Sequence, residues 1–188
     1  MNRQELEKKH PQLLHDLALW MQHAAKSVAG DKILVSVGMA QFLDESGALN
    51  GPIHAPGNNA MGIKAGSSWR GPVVDFKTHE VIHGQREAEE DEFRAYPSLA
   101  ACCEDYAHIL TTRKVYAPAI ELVTPEVRIL RPVVYHGPVY EGQEMPLWEA
   151  YLRRIALVYA TNPQYGADLI QIVRDLELLG FELPGRLT

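Results

Sequence analysis

Cysteine is scarce in this sequence. The only two cysteines, Cys102 and Cys103, are adjacent in a chain of 188 residues. Neighbouring cysteines cannot form an ordinary structural disulfide with each other, and two thiols do not make a metal-spaced cluster. The sequence therefore predicts a protein with no disulfide framework, in which both thiols are buried on a helix.

Long apolar runs are also missing. No segment reaches the length of a membrane-spanning helix, and the N-terminal MNRQELEKKHPQ lacks the apolar core of a secretory signal. We expect no membrane span and no standard export signal. Three interpretations stay open: the protein acts in the cytoplasm, leaves the cell by another route, or has lost a leader.

An excess of positive charge is absent as well. The net charge is −6, so we predict no electrostatic footprint for nucleic acid or for an anionic membrane. The hydrophobic fraction of 46% and the charged fraction of 22% are ordinary for a globular protein. The length fits a single domain over residues 1–188 with a sizeable core.

Apolar residues recur at helical spacing in several places. We predict helices over residues 11–29, from Pro97-Ser98 onwards, over 147–159 and over 163–179. Gly30 and Asp31 are expected to end the first of these helices and to cap the apolar segment that begins at Ile33. Asn162 and Pro163 have the residue types of an N-cap and a first helical turn.

Two stretches carry strand and turn signals instead. Residues 73–96 are rich in β-formers around Gly84-Gln85, which predicts a small hairpin. Residues 117–147 contain five prolines and β-rich pieces, which predicts an insertion of short strands and loops. The predicted fold class is α+β and mainly helical, with several helices around one buried helix and a small β lobe.

The buried helix is predicted over residues 33–47, ILVSVGMAQFLDESG. No charge occurs between Ile33 and Leu43, so this helix is apolar nearly all round and lies inside the protein. It ends on Asp44 and Glu45, at the negative end of the helix dipole. Dipole and burial both disfavour ionisation, so we expect the pKa of Glu45 to rise, as a general acid near neutral pH requires.

One narrow face of this helix carries Leu34, Gly38, Gln41 and Glu45. Gly38 is small enough to admit another backbone or a ligand, and Gln41 and Glu45 would line that space. A plainer interpretation is also open. In it, Glu45 is a solvated residue at the end of a helix, and Gly47 is the residue that comes after the cap.

Motifs elsewhere in the chain favour the functional interpretation. AQFLDESG is followed in order by NNAMGIK, W-x-G, T-x-E, FRAYPS, EDYAHIL and YATNPQYGADL. This order resembles the endo-β-N-acetylglucosaminidases of glycoside hydrolase family 73, which include flagellar and autolysin-type peptidoglycan hydrolases. The resemblance runs from about Ile33 to about Leu179, without the insertion, and implies a lysozyme-like fold with the β lobe across a cleft.

The resemblance also implies roles for individual residues. Glu45 matches the general acid of the family, Glu80 its proposed second carboxylate, and Tyr159 the tyrosine near the acid. The predicted substrate-binding residues are Gln41, Asn59, Trp69, Tyr96 and Thr161. For Tyr116, a sugar contact and a core position both stay open. The resemblance implies no metal and no organic cofactor.

Three positions depart from the family pattern. The tryptophan that usually follows E-S-G is Ala48, the glycine before Y-A-T is Val158, and the aspartate of Y-A-T-D-P is Asn162. These changes leave the acid in place and affect the expected substrate subsites.

The second half of the mechanism stays open. Hydrolysis needs a proton donor, and either a second carboxylate or a substrate group to handle the oxocarbenium-like carbon. Glu80 would activate water if closure of the cleft brings it near. A wide separation of the two carboxylates would predict inversion, and a close one would predict retention. The N-acetyl group of the sugar offers a third possibility, substrate-assisted attack, which would make Glu80 less important. Asp75, Asp91 and Glu92 are alternatives to Glu80, and each is equally open as a solvated charge of the lobe.

A competing motif overlaps the same stretch. Residues 79–83, HEVIH, match the zinc-protease signature H-E-x-x-H. That chemistry needs both histidines one helical turn apart, but this pentapeptide follows VVDFKT and precedes Gly84, a strand and turn context. On a strand, residues 79 and 83 are about 13 Å apart, too far to share one ion. The strand context therefore disfavours a metalloprotease.

The sequence as a whole predicts a hydrolase that cleaves the β-1,4 bond after N-acetylglucosamine in peptidoglycan glycan strands. A lytic transglycosylase or muramidase of the same fold, and a non-catalytic peptidoglycan-binding or scaffold module, stay open. Without an export signal, the expected setting is a phage lytic enzyme or an effector injected by a secretion system, acting on the cell wall. An effector would imply an immunity protein as partner.

Overall fold

The computed structural model describes residues 2–50, 57–82, 85–124 and 129–182, with the backbone alone for the strand residues between 77 and 90. The helices are α1 (Arg3–Lys9), α2 (Leu13–Ser27), α3 (Val35–Glu45), α4 (Leu99–Thr112), α5 (Ala117–Ile120), α6 (Leu147–Tyr159) and α7 (Tyr165–Asp175), with 3₁₀ turns at Lys114–Tyr116 and Leu178–Phe181. The strands are β1 (Val73–Ile82), β2 (Gln85–Arg94), β3 (Pro132–Val134) and β4 (Glu144–Pro146). Within this described part, no helix is long and apolar enough to cross a membrane.

Helix α3 lies at the centre of the helical part. All nine residues from Val35 to Leu43 are buried, and the helix packs against α2, α7 and the 3₁₀ turn at Leu178–Phe181. Cys102 and Cys103 are fully buried free thiols on α4, whose N-terminus is capped by the Ser98 hydroxyl, 3.2 Å from the Ala101 N–H. The predicted buried helix, buried thiols and helix start at Ser98 are confirmed.

Gly38 makes room for a side chain of the core. A Cβ atom at this position would lie 2.6 Å from the Met21 sulfur of α2. The glycine therefore allows α2 and α3 to pack closely, which agrees with the expected approach of another chain segment. The Met21 side chain fills the space, so the expectation of a ligand there is wrong.

The N-terminus of α3 is capped from the far end of the described chain. Gly30 and Asp31 turn the chain with positive φ angles of 56° and 58°, as predicted. The cap is Glu182, whose carboxylate accepts hydrogen bonds from the backbone N–H of Ser36 at 2.8 Å and from its hydroxyl at 2.5 Å. Asp31 lies four positions before the first helical residue, so the expectation that it caps α3 is wrong.

The β lobe is the predicted hairpin. Strands β1 and β2 pair antiparallel from Val73 opposite Arg94 to Ile82 opposite Gln85, and the predicted turn residue Gly84 lies outside the described residues. The loop after α3 joins the base of the hairpin: the Ala65 N–H donates to Glu92 O at 2.8 Å, and the Arg94 N–H to Ile63 O at 3.0 Å. This loop is thereby held between the hairpin and the end of α3.

The insertion differs in part from the prediction. Strands β3 and β4 are the expected short strands, but residues 117–120 form a helix, with Pro118 in its first turn, where the missing N–H costs no helical hydrogen bond. Tyr135 and Met145 pack on Ala150 of α6 and attach the insertion to the helical part.

The last helix starts later than predicted. The Asn162 side chain accepts from the Gln164 N–H at 3.0 Å, but this bond closes a turn that precedes α7, whose N-cap residue is Gln164. The chain then takes a positive φ of 54° at Glu177, so the predicted continuous helix to residue 179 is broken there.

Candidate active site

A cleft of about 540 Å³ opens where the end of α3, the loop at 57–66 and the start of α7 meet. Its volume is typical of sites that enclose small ligands. Lining residues include Asp44, Glu45, Gly62, Tyr159, Thr161 and Tyr165. Glu45, the predicted acid, is thus the last helical residue of α3 and faces the cleft.

Glu45 is a carboxyl group whose proton is retained near neutral pH. Burial raises its pKa to about 7, and the negative charge of Asp44 adds to the rise, while a hydrogen bond from Tyr165 opposes it. The half-buried side chain is therefore about half protonated at pH 7, the state that a general acid needs. The plainer interpretation, a solvated glutamate at a helix end, does not describe this residue.

The end of α3 is a Schellman motif. Gly47 has a φ of 55°, its N–H donates to Asp44 O at 3.0 Å, and the Ala48 N–H donates to Leu43 O at 2.8 Å. These bonds end the helix at Glu45 and confirm Gly47 as the residue after the cap. Ala48, which stands where the family pattern has tryptophan, is buried.

Gly62 places the backbone of the loop against the acid. It has a φ of 60°, and a Cβ there would lie 3.1 Å from Glu45 Oε2. Any other residue would suffer both a strained φ and a contact with the carboxylate. Gly62 therefore lets the loop backbone lie close to the Glu45 carboxylate and form one wall of the site.

A chain of buried hydrogen bonds leads from the core to Glu45. The Tyr106 hydroxyl donates to Gln41 Oε1 at 2.6 Å, and Gln41 Nε2 donates to the Tyr165 hydroxyl oxygen at 3.0 Å. Because the Tyr165 oxygen accepts from Gln41, its own proton is directed to the Glu45 carboxyl, to which it is hydrogen-bonded. The chain thus supplies one donor to the acid and keeps it oriented.

Tyr159 lies next to this chain. Its ring stacks on Tyr165 with centroids 6.0 Å apart and 2° between the planes, and its hydroxyl donates to Met61 O at 2.7 Å. Burial and the charge of Glu45 raise the pKa of Tyr159 well above its ordinary value. The tyrosine is thus neutral and lies in the cleft near the acid, and its catalytic role stays a prediction.

Two predicted substrate-binding residues lie beneath the cleft surface. Gln41 is fully buried, and Asn59 is 1% exposed. The Asn59 amide donates to Ile63 O at 2.9 Å and Arg94 O at 2.8 Å, which holds the loop against β2. In the structure Gln41 orients Tyr165 and Asn59 shapes the loop, and contact of these two buried side chains with the substrate stays a prediction.

Trp69 and Tyr96 form a cluster at the base of the hairpin. Arg94 lies over the Trp69 ring at 4.6 Å and pairs with Asp105 of α4 at 2.7 Å, and the Tyr96 hydroxyl donates to the same carboxylate at 2.7 Å. Neither ring is among the described residues that line the cleft. The structure gives them a packing role, and their contact with sugar stays a prediction.

Thr161 and Tyr116 do line the cleft, Thr161 exposed and Tyr116 buried. Their contact with substrate stays a prediction. Sequence reasoning missed Tyr165, because it lies on the apolar stripe of α7 and so looks like a core residue. Gly62 was missed as a neighbour of Glu45, although its place in NNAMGIK marks a turn.

The second carboxylate is not fixed by the described side chains. Glu80 lies on β1 opposite Glu87, with its side chain outside the described part. Among the alternatives, Asp91 is 2.5 Å from the Lys64 amine, and Asp75 and Glu92 are exposed. Asp44 also lines the cleft, and its pKa is raised by burial and by the charge of Asp168.

The H-E-x-x-H pentapeptide is not helical where it is described. His79 and Glu80 lie within β1, which ends at Ile82, and His83 lies outside the described residues. A zinc protease needs this motif on a helix, so the predicted strand context is confirmed and excludes that geometry.

Known proteins are similar to this chain in sequence and in fold. A family model described as mannosyl-glycoprotein endo-beta-N-acetylglucosaminidase matches residues 21–178. The peptidoglycan hydrolase FlgJ of Salmonella typhimurium is 34% identical over 142 residues, which cover 76% of this chain and 36% of FlgJ. A probable N-acetylmuramidase of Lactococcus lactis is 29% identical over 164 residues, or 85% of this chain and 33% of that protein.

A solved structure supports the same assignment. The crystal structure of a peptidoglycan hydrolase mutant from Sphingomonas sp. A1 matches with a TM-score of 0.65 and 26% identity, covering 90% of this chain and 97% of its own. The chain thus spans about a third of the length of the two sequence relatives but nearly all of this solved one. Because the family model covers most of the chain, including Glu45 and the cleft, the chain belongs to the glucosaminidase family, glycoside hydrolase family 73, and has its lysozyme-like fold.

Proposed function

We propose that this chain hydrolyses the β-1,4 bond after N-acetylglucosamine in peptidoglycan, with Glu45 as the proton donor. The observation that carries the proposal is the position of Glu45: a carboxyl group with a pKa of about 7, at the end of a buried helix and facing a cleft. The family match supports an endo-β-N-acetylglucosaminidase, and the name of the FlgJ relative supports peptidoglycan as the substrate.

The first step follows from the geometry. Protonated Glu45 donates its proton to the glycosidic oxygen while the bond from that oxygen to the anomeric carbon breaks. The carboxylate left behind keeps its hydrogen bond from Tyr165, which grows stronger as the charge develops. Burial favours the protonated form before the step, and the tyrosine limits the cost of ionisation during it.

For the group that acts on the anomeric carbon, we propose three alternatives. Glu80 activates a water molecule if the hairpin approaches the cleft, a nearer carboxylate acts as a nucleophile, or the N-acetyl group of the sugar attacks. Glu80 remains the proposed second carboxylate because of its place in the T-x-E motif of the hairpin.

Analysis of the new chain ends tests the proposed bond. Purified sacculi are digested, reduced with borohydride and examined by mass spectrometry. We expect reduced N-acetylglucosamine ends from the wild type and none from Glu45→Gln. New ends from Glu45→Gln at the wild-type rate would contradict the assignment of the acid.

The second candidate is a muramidase, which the name of the Lactococcus relative favours. Reduced muramic ends would indicate that bond, and anhydro-muramic ends would indicate a lytic transglycosylase. Binding of sacculi by the wild type without any new ends would indicate a binding module.

We further propose that the protein acts on the peptidoglycan of the cell wall, delivered by phage lysis or by a secretion system. Expression with and without an added export signal tests the site of action: lysis is expected only when the protein reaches the periplasm. An injected effector would need an immunity protein in its producer, and co-purification from that producer would reveal it.

A further inference from the structure

We propose that a second groove, built partly by the insertion, binds further sugar residues of the glycan strand. We call it the insertion groove; it has a volume of about 490 Å³. Its walls come from Tyr135, Val139 and Tyr140 of the insertion, Leu157 of α6, and Gln164 and Ala167 at the start of α7. The proposal rests on the proposed function, since it extends the substrate beyond the bond that Glu45 cleaves.

The insertion groove borders the cleft across one short segment of the chain. Ala160, Thr161 and Asn162 line both cavities. A polymer that lies beside Glu45 and crosses this short segment therefore enters the groove directly. A glycan strand has this form, because its sugars repeat along one direction.

The chemistry of the groove fits a neutral ligand. Arg153, its one charged lining residue among those described, is paired with Glu149 at 2.6 Å and lies over the Tyr140 ring at 4.0 Å. Glu149 thus compensates part of its charge, although the same carboxylate also pairs with Arg174 at 3.2 Å. An aromatic ring and the amides of Asn162 and Gln164 are suited to stacking on a sugar and to bonding its hydroxyl groups.

A stem peptide fits less well. Its carboxylates would need a cation that is not already paired, and the described lining residues offer only Arg153, which Glu149 holds. Burying an unpaired carboxylate beside that pair would cost free energy. The neutral part of peptidoglycan is therefore the favoured occupant.

The wall supplied by the insertion is pre-formed. Glu141 accepts hydrogen bonds from the Gly137 N–H at 2.7 Å and from His136 Nδ1 at 2.9 Å. Tyr135 is fully buried and meets the edge of Tyr140 with centroids 6.0 Å apart. A wall that is already ordered binds a ligand without paying for its own ordering.

Tyr135 also carries an unsatisfied group. Its buried hydroxyl has no hydrogen-bond partner among the described residues, and the residue lines the groove. Buried hydroxyl groups are usually bonded, so this one would gain a partner if a ligand in the groove shifted the ring enough to bring an acceptor into reach. A sugar hydroxyl is such an acceptor.

Binding of glycan strands of defined length tests the proposal. The proteins are Glu45→Gln alone and with either Tyr140→Ala or Ala167→Trp, which alter the groove from opposite walls. The ligands are peptide-free glycan strands of two to eight sugars whose lactyl carboxyl groups are capped as amides, so that the strands are neutral. For the control, Val134→Ala changes an exposed residue of β3 that does not line the groove.

We expect affinity to rise with strand length. For the longest strands, we expect both groove variants to bind about tenfold more weakly than Glu45→Gln alone. The shortest strand that Glu45→Gln binds should be bound equally well by both groove variants. The control should bind every strand as Glu45→Gln alone does. Equal losses at every length, or no loss in either variant, would overturn the proposal. So would a groove-dependent gain seen only with peptide-bearing strands, or no binding of any strand.

The outcome separates the groove from the proposed function. If the wild type produces no new chain ends but the length dependence is lost in the groove variants, the hydrolase assignment fails and the groove stands. If new ends form and the groove variants bind like their parent, the groove proposal is wrong and the proposed hydrolase function stands.

Discussion

Each end of α3 has a glutamate, and the two are held in opposite ways. At the N-terminus, Glu182 accepts two hydrogen bonds from Ser36, where the partial positive charge of the helix favours an anion. At the C-terminus, Glu45 meets the negative end of the dipole in a half-buried position, and its pKa rises to about 7. One carboxylate stabilises the helix, and the other is poised to give up a proton.

The helix itself offers no residue whose charge compensates the helix dipole at either end. Its first turn contains no acidic residue, and its last turn contains no basic residue. The favourable anion at the N-terminus is therefore supplied from elsewhere in the chain, whereas the last turn of the helix contributes no cation of its own at the C-terminus. Burial is the main cause of the raised pKa of Glu45, and no basic residue in the last turn of the helix opposes it.

The largest contrast is expected in the reaction rate. Glu45→Gln removes the proton donor and should lower hydrolysis of peptidoglycan about 10³-fold, the usual scale of general acid catalysis. Glu182→Gln should leave the rate per folded molecule within about twofold, since its contact lies at the other end of α3. Release of reducing ends measures both. The control Asp44→Asn removes a neighbouring charge, and a loss there as large as in Glu45→Gln would contradict the comparison.

The substitution Glu45→Gln, which should lower the reaction rate, should raise the free energy of unfolding at alkaline pH. Its folded pKa of about 7 lies above the ordinary 4.5, so between these values the folded protein holds a proton that the unfolded chain has released. The free energy of unfolding therefore falls as the pH rises through this window. Glu45→Gln escapes that loss, and we expect it to be about 1–3 kcal/mol more stable than the wild type at pH 8.

Urea unfolding at pH 4, 6 and 8 measures this difference. The advantage of the variant should be near zero at pH 4 and should grow towards pH 8. An advantage that does not depend on pH would contradict the assigned pKa.

At the N-terminus of α3, we expect a smaller change in stability, which is a loss. Glu182→Gln keeps an acceptor for Ser36 but removes the charge, which should cost about 1 kcal/mol of unfolding free energy. Glu177→Gln is the matched control, because Glu177 is a nearby carboxylate, 78% exposed, with a 3.5 Å contact to Arg3. Thermal unfolding of the two variants at neutral pH compares them. Equal shifts would argue against a capping role for Glu182.

The smallest effect concerns the donor to Glu45. Tyr165→Phe removes the hydrogen bond that opposes the raised pKa, so the pKa of Glu45 should rise further. The alkaline limb of kcat/KM should move upward by less than about one pH unit. Tyr159→Phe is the control, because that hydroxyl donates to Met61 O. A limb that moves downward, or moves equally in both variants, would contradict the hydrogen-bond chain.

The sequence predicted the features that depend on local pattern. The uncharged run before Asp44 and Glu45 predicted a buried helix ending in an acid, and burial is the main cause of the raised pKa. Ser98 predicted a helix start in the same way, because a cap acts within one turn.

Partners that are distant in sequence were not predictable in this way. Gln41 and Asn59 look like binding residues, but a polar side chain in a motif does not reveal whether its partner is a ligand or the interior. Tyr165 has the pattern of a core residue, and its contact with Glu45 arises only when α7 packs on α3. Likewise, no local signal relates Glu182 to Ser36.

The Glu182 cap also has a consequence for synthesis on the ribosome. Ser36 and Glu182 are separated by 146 residues, so the N-terminus of α3 emerges on the order of ten seconds before its cap at ordinary elongation rates. During that interval the helix that carries the acid has its end open. The last segment of the described chain therefore completes the helix that carries Glu45, and the nascent protein gains the finished form of this helix only after Glu182 has been synthesised.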